Sequence, residues 1–450
     1  MKLYQHQQET VDFMEEAGGR VYNGSDAGTG KTLTTLTYIK KHPPKPGEFM
    51  VVLAPKTIAQ LAWGDDINKI DLGIPHEVCV GSRQQKIKAI NRMREQGGLL
   101  ITNHDAVAIL AENCDGLVGF VVDEGTVFKN KNAKRSKNAK VLANLPSIRM
   151  AVVMSGTPTP QTVMDFWHQI ELVSPKFLPP YTRLRAELQT PRSQITASGD
   201  LVTVWEDKPD AQLWLSQILE PILVRYSKDQ CLDLPEQTRR FMTVPMSKTL
   251  RKHYNEMKTE AVLVLEEGVA DAVNAAVLMR KLLQVVSGFV YDQNGVARNL
   301  SPERYDLILE LCLARDAALV ACPLRDQIER LSEMAERKGL RYGVIDGSIK
   351  ADERTRLGRA FQDGEIDYLF CNPKAAGHGL TLTRSQTIIW ASPVASSEEF
   401  IQFNARIDRI SQEQHNEVIM IKAEDTYEEA AYNRLTHKVG NQLDLLELLT

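Results

Sequence analysis

No CxxC pair occurs among the six cysteines of this 450-residue chain, Cys79, Cys114, Cys231, Cys312, Cys322 and Cys371. That speaks against a zinc ribbon or a redox dithiol, and the thiols read as reduced, mostly buried groups of a cytosolic protein. The nine histidines form no HExxH pattern, so no metalloprotease-type site is visible. No apolar run approaches the ~20 residues needed to span a bilayer. The opening Met1-Lys2-Leu3-Tyr4-Gln5-His6-Gln7 is too polar for a secretory signal. There is no excess of positive charge either: 54 basic against 58 acidic residues give −4. Any nucleic-acid site must therefore be a local basic patch. No repeat or low-complexity tract is apparent. What remains is ordinary, 43% hydrophobic and 25% charged residues. That composition excludes disorder, collagen and coiled coil as the main architecture, and the length suggests about two to four domains.

Short apolar runs recur at Phe49–Ala54, Leu99–Thr102, Val118–Val122, Met150–Met154, Ala317–Ala321, Tyr368–Cys371, Thr387–Trp390 and Glu417–Ile421. Several are too continuously apolar for half-exposed strands, so they read as strands buried on both faces. Helical patterns such as Gln7–Met14, Thr32–Lys40 and Arg325–Lys338 lie between them. Strands alternating with helices imply parallel sheets with helical crossovers. The alternation breaks over 179–230, which reads as irregular, and over 245–285, which reads as helical. It resumes near Ala317. The expectation is an α/β chain of two parallel-sheet lobes, 1–178 and 301–450. Helical and hairpin insertions fill 179–300, with the inter-lobe linker near 226–238. Two hairpins are expected, one turning at Ser198-Gly199-Asp200 and one at the Asn294-Gly295 pair that suits a tight turn.

The strongest local signal is Ala27-Gly28-Thr29-Gly30-Lys31-Thr32, between a short strand at Arg20–Tyr22 and a helix. This is the setting of a P-loop. Glycines let backbone N–H groups turn inward onto phosphate oxygens, and the helix N-terminus adds its positive end. Lys31 would neutralise the outer phosphates of ATP and Thr32 would ligate Mg²⁺. Ser25 stands where the full pattern has its first glycine. A second element, Phe120-Val121-Val122-Asp123-Glu124, brings two acids to the end of an apolar strand, where open α/β sheets bind ligands. Asp123 would hold Mg²⁺, usually through water, and Glu124 would orient or deprotonate the attacking water.

With these motifs in hand, nearly the whole chain resembles a superfamily 2 helicase of the Swi/Snf-type DNA translocase and annealing-helicase group. Leu3-Tyr4-Gln5-His6-Gln7 resembles the opening motif, with Gln7 as the adenine-reading glutamine. Leu53-Ala54-Pro55-Lys56-Thr57, with Trp63 downstream, resembles the motif that touches the DNA backbone, and Ile101-Thr102-Asn103-His104 the next. Asp123-Glu124-Gly125-Thr126, followed by Lys129-Asn130, is similar to the DEAH box. Ser155-Gly156-Thr157-Pro158 is similar to the coupling motif, and Arg225, Lys228, Leu234 and Pro235 to later landmarks. In the second half, Asp346-Gly347-Ser348, Gly377-His378-Gly379-Leu380-Thr381-Leu382 and the segment Gln402 to Gln412 resemble the corresponding motifs. Asp425-Thr426-Tyr427-Glu428-Glu429 echoes the terminal one.

The resemblance implies two RecA-like lobes in tandem with a small helical insertion between them. It implies Arg406 and Arg409 as arginine fingers that neutralise charge on the transferring phosphoryl group. It places Gln7, Gly28, Thr29, Gly30 and Gly379 toward the nucleotide, and Lys56, Thr57, Asn103 and Thr381 on DNA. Gly125-Thr126 departs from the family's Ala-His, Thr381 from Asn, Ala405 from Gly and Asp408 from His. Beside the DEAH-like turn, residues 129–140 hold six basic residues and no acid. Lys129, Lys131, Lys134 and Arg135 are therefore expected near the DNA backbone, in salt-sensitive contacts of low sequence dependence. The implied activity is an ATP-dependent motor on double-stranded or branched DNA. It is expected to act as a monomer in the cytoplasm, or the host cytoplasm for a viral source, with no membrane partner. Single-strand-binding or replication proteins are candidate companions. The core nearly fills the chain, leaving little room for histone-reading modules.

Overall fold

The computed structural model describes residues 3–435, except 61–62, 64–65, 68–69, 157–161, 196–200, 228–230, 232–236, 267–280, 292–296, 300, 377–379, 381, 395 and 408–415. The chain divides into two compact units. The first holds Met1–Thr190 and Glu206–Asp233, and the second holds Pro191–Trp205 and Leu234–Gly440.

In unit 1 the strands are β1 (Arg20–Asn23), β2 (Phe49–Ala54), β3 (His76–Val78), β4 (Gly98–Asn103), β5 (Leu117–Asp123) and β6 (Met150–Met154). A two-stranded ribbon, β7 (Gln189–Ile195) with β8 (Leu201–Asp207), most of which is assigned to the second unit, comes next in the chain, and β9 (Leu223–Val224) then completes the strands of unit 1. The sheet order is β3-β4-β2-β5-β6-β1-β9, and every pair is parallel. Both faces are covered, as continuous apolar runs require. Phe49, Val51 and Leu53 enter one core, while Met50, Val52 and Ala54 enter the other. The register sets Asn23 beside Met154 and Met154 beside Asp123. The chain therefore leaves β1, β6 and β5 at one level, on the carboxyl edge of the sheet.

Unit 2 repeats the plan with β10 (Thr238–Val244), then a second ribbon of β11 (Phe289–Tyr291) and β12 (Ala297–Asn299). Its sheet is completed by β13 (Ala318–Ala321), β14 (Tyr342–Ile345), β15 (Tyr368–Cys371), β16 (Thr387–Trp390) and β17 (Glu417–Ala423). The order is β10-β17-β16-β13-β15-β14, again all parallel. Leu319, Leu369, Ile388 and Val418 line one core, and Val320, Phe370, Ile389 and Ile419 the other. Glu428, from the echo of the terminal motif, is wholly buried and binds Arg304 Nη2 at 2.7 Å and the Ala423 N–H at 2.9 Å.

The expected α/β class with two parallel-sheet lobes is what the strands form. The stretch 179–230, expected to be irregular, is instead largely regular. Pro180 precedes the helix Tyr181–Leu188, which buries Leu184 and Leu188, and the helix Ala211–Leu219 leads into β9. Prolines there mark a helix start rather than disorder. The tips of both ribbons, with Gly199 and Asn294-Gly295, lie outside the described residues. No described helix is long and apolar enough to cross a membrane.

Candidate active site

The P-loop leaves β1 and enters the helix Lys31–Lys41 through Gly30, whose φ is +92°. A Cβ there would stand 2.3 Å from Gln7 Nε2, so glycine is required on both counts. Gln7 is buried, donates through Nε2 to Thr29 O at 3.2 Å and accepts the Tyr4 N–H at 3.1 Å. The opening helix Gln5–Glu16 thus lies against the loop. Lys31 Nζ donates to the carbonyls of Ser25 (2.6 Å) and Asp26 (2.9 Å), so the loop curls around its ammonium group. Ser25, in place of the first glycine, uses its side chain, because its Oγ accepts the Tyr226 N–H at 3.1 Å. The Asp26 N–H donates to Tyr226 O, and buried Arg225 lies 3.7 Å from the Asp26 carboxylate. The segment after β9 therefore braces the loop.

Asp123 ends β5 with a buried side chain. Its Oδ2 accepts the Trp63 indole N–H at 2.9 Å, and its Oδ1 the Glu124 N–H at 3.1 Å. Burial raises its pKa above the usual carboxylate value, opposed by Trp63, the charge of Lys31 and the Glu124 N–H. Glu124 has a φ of +56°, uncommon for a residue with a side chain, and starts the turn Gly125–Phe128. A Cβ on Gly125 would meet Val153 Cγ1 at 2.4 Å. The family's alanine does not fit here, which accounts for that departure. A histidine does reach the turn, from the end of β4. His104 Nε2 donates to Asp123 O at 2.7 Å, and burial lowers its pKa to about 4, so the ring is neutral. Beyond β6, the Ser155 N–H donates to Asn23 O, and a Cβ on Gly156 would lie 3.4 Å from Ala27 N. The coupling motif thus packs on the P-loop; its Thr157 and Pro158 are outside the described residues. Thr32, in the first turn of its helix, is half-buried.

The expected DNA-contact residues are not equivalent. Lys56 is exposed on the helix Lys56–Gln60, which also carries Thr57. Asn103 is engaged on both sides, accepting from Lys86 Nζ at 2.6 Å and donating to Asp105 at 3.2 Å. Lys129 lies 3.8 Å from Asp165, Lys131 Nζ sits 3.7 Å over the Tyr181 ring, and Lys140 pairs with Glu171 at 2.8 Å. Lys134, Arg135 and Lys137 remain exposed at the start of the helix Lys134–Ala143. In unit 2, Arg406 is buried and donates to Leu380 O (3.0 Å) and Gln402 O (3.1 Å). Gly379, Thr381 and Arg409 lie outside the described residues. Sequence reasoning put Trp63 in a DNA-touching motif; the structure buries its ring and aims its N–H at Asp123. No local pattern signals this, because 60 residues separate the two.

A parallel sheet with a P-loop lysine facing a buried carboxylate, followed by a second parallel-sheet unit, defines a nucleotide-hydrolysing motor with two RecA-like lobes. The SNF2-related domain family matches residues 6–287, and the helicase conserved C-terminal domain matches 303–411. The chain belongs to the SNF2-related family and is a DNA-dependent ATPase. It is 27% identical to protein p41 of Acyrthosiphon pisum secondary endosymbiont phage 1, over 94% of this chain and 93% of that one. It is 22% identical to the chromatin structure-remodeling complex subunit snf21 of Schizosaccharomyces pombe, over 97% of this chain and 39% of that one. It is 23% identical to the human DNA annealing helicase and endonuclease ZRANB3, over 91% of this chain and 37% of that one. The chain thus spans well under half the length of these two eukaryotic relatives. A solved Sulfolobus solfataricus SWI2/SNF2 ATPase core in complex with dsDNA matches at 19% identity and a TM-score of 0.43, over 99% of this chain and 93% of that one.

Proposed function

We propose that this ATPase is a translocase on duplex DNA that remodels or unwinds branched DNA, such as forks and Holliday junctions, during replication, recombination or repair. The observation that carries the reading is the convergence of Lys31, Asp123-Glu124 and Ser155-Gly156 at one level of one sheet edge, with exposed Lys134, Arg135 and Lys137 on the helix that follows the carboxylate turn. The annealing activity named for the human relative supports the branched-DNA part.

Lys31 and the loop N–H groups hold the phosphates, and Gln7 reads the adenine. Glu124 orients the attacking water, and Arg409 acts on the transferring phosphoryl group. Asp123 and the Thr32 hydroxyl would hold Mg²⁺, an ion suited to few protein oxygen donors. Among the described residues, no group of three or more His, Cys, Asp or Glu competes for that role. The ion supplies charge neutralisation when bound. Lys56, Lys134, Arg135 and Lys137 bind phosphates of the DNA backbone, so affinity falls steeply with salt. The protein works as a monomer in the cytoplasm, or in a host's cytoplasm, alongside single-strand-binding or replication proteins.

The second reading is displacement of proteins from DNA without strand separation, favoured by the remodelling named for the fission-yeast relative. The test is a panel of single strand, duplex, fork and four-way junction, scored for both ATPase stimulation and unwinding. Stimulation by duplex with unwinding of forks or junctions supports the proposal. Stimulation without unwinding favours the second reading, and stimulation by RNA alone defeats both.

A further inference from the structure

Trp63 is wholly buried and is among the largest side chains so placed. It packs in the core that also holds Ala59, Ile67, Ile101 and Val121. A buried indole N–H needs an acceptor, and a backbone carbonyl would serve. The acceptor here is instead the Asp123 carboxylate, at 2.9 Å. The two oxygens of that carboxylate receive one donor each, Trp63 on Oδ2 and the Glu124 N–H on Oδ1. One donor per oxygen fixes rotation about the Cβ–Cγ bond and leaves further lone pairs on both oxygens for other partners. Hydrogen bonds to an ionised acceptor are also the stronger kind. Trp63 follows the helix Lys56–Gln60 by three residues, and that helix carries the residues expected on the DNA backbone.

We propose that Trp63 is a positioning residue: its indole N–H orients the Asp123 carboxylate for Mg²⁺·ATP and ties that carboxylate to the Lys56–Thr57 segment. This rests on the reading of Asp123 as the metal-side carboxylate. A backbone phosphate drawn onto Lys56 pulls on a segment whose indole cannot turn in its core, so the displacement reaches the carboxylate. Turnover then responds to DNA without any DNA group approaching the nucleotide.

The test compares Trp63→Phe, which keeps a ring and removes the donor, with Ile67→Ala, which opens the same core and spares the indole. Binding of Mn²⁺ with a non-hydrolysable ATP analogue is read by electron paramagnetic resonance, and melting temperature is recorded for both. Affinity is expected to weaken about 10-fold or more in Trp63→Phe and to change less than about twofold in Ile67→Ala. Equal weakening in both variants, or unchanged affinity in a folded Trp63→Phe, overturns the proposal. Asp123→Asn is measured alongside. If it leaves Mn²⁺ binding intact, the metal-side reading of Asp123 is what fails, and the positioning role falls with it. A further measurement needs no change at position 63. The chain has five tryptophans, and the indole ¹⁵N–H resonance displaced by Asp123→Asn should shift in the wild-type protein when Mg²⁺ and the analogue are added, and again with duplex DNA. A resonance indifferent to both additions overturns the link.

Discussion

Lys31 holds its loop closed through the carbonyls of Ser25 and Asp26, using the same donors that phosphate oxygens would take. Lys31→Ala is expected to abolish ATP turnover while DNA binding, which rests on other residues, survives. Parallel ATPase assays and DNA titrations check this, and normal turnover would sink the P-loop assignment. The two arginines of the second unit should separate. Arg406 is buried and satisfies the Leu380 and Gln402 carbonyls. Stranding buried acceptors costs about 1–3 kcal/mol, so Arg406→Ala should lower the melting temperature along with activity. Arg409→Ala should leave the melting temperature in place and lower kcat about 10³-fold with little change in KM for ATP. A KM-only loss would make Arg409 a ground-state contact. Neither the brace of Arg406 nor the bond from Trp63 to Asp123 is legible in sequence, because each joins motifs that meet only after folding.

At the scale of elements, His104 joins the end of β4 to the end of β5. Burial moves its pKa from the usual 6.5 to about 4, so the folded state refuses a proton that the unfolded chain accepts. Its stabilising share is complete above pH 6.5 and is lost as pH falls toward 4. A gap of that size corresponds to about 3 kcal/mol. His104→Gln keeps an N–H for Asp123 O and cannot titrate, so it should flatten the fall in melting temperature across that window. An unchanged acid limb would show that other groups govern it. His168, buried and bonded to Ser136 O, is shifted in the same direction by burial. The elements legible beforehand share one property. Interior strands such as β2, β6, β13 and β15 are apolar throughout and buried along their length. The strands that escaped notice are the sheet edges. At the edge, β10 carries exposed Arg239, Arg240 and Phe241, β14 alternates buried with half-buried residues, and β3 and β9 are two or three residues long. Edge strands answer to one neighbour and to water, so a largely exposed strand such as β10 or a two-residue one such as β9 leaves a weak signal.

On the scale of the whole molecule, the unwinding proposed above needs more than translocation along a duplex, which does not by itself part the strands; something must stand between them. Among the described residues the two ribbons are the candidates, and their surroundings differ. The β11–β12 ribbon is anchored, because Phe289 is buried with its ring centroid 5.7 Å from that of Tyr305. The β7–β8 ribbon instead exposes Leu201 (72%), Val202 (38%) and Val204 (39%), with Trp205 half-buried beside them. Apolar residues turned to water on a two-stranded ribbon have no core of their own to fill, and an unpaired base stacked on the neighbouring Trp205 would gain about 1–3 kcal/mol. The balance therefore tips toward β7–β8 over the Asn294-Gly295 turn. Replacing residues 196–200 with a two-residue Asn-Gly turn keeps the ribbon and removes its tip. That variant is expected to retain duplex-stimulated ATPase and to lose fork unwinding, while the same shortening at 292–296 should leave both intact. If ATPase falls together with unwinding, the ribbon serves folding or DNA binding. If both shortened forms separate forks as the wild type does, the separating element lies in neither ribbon.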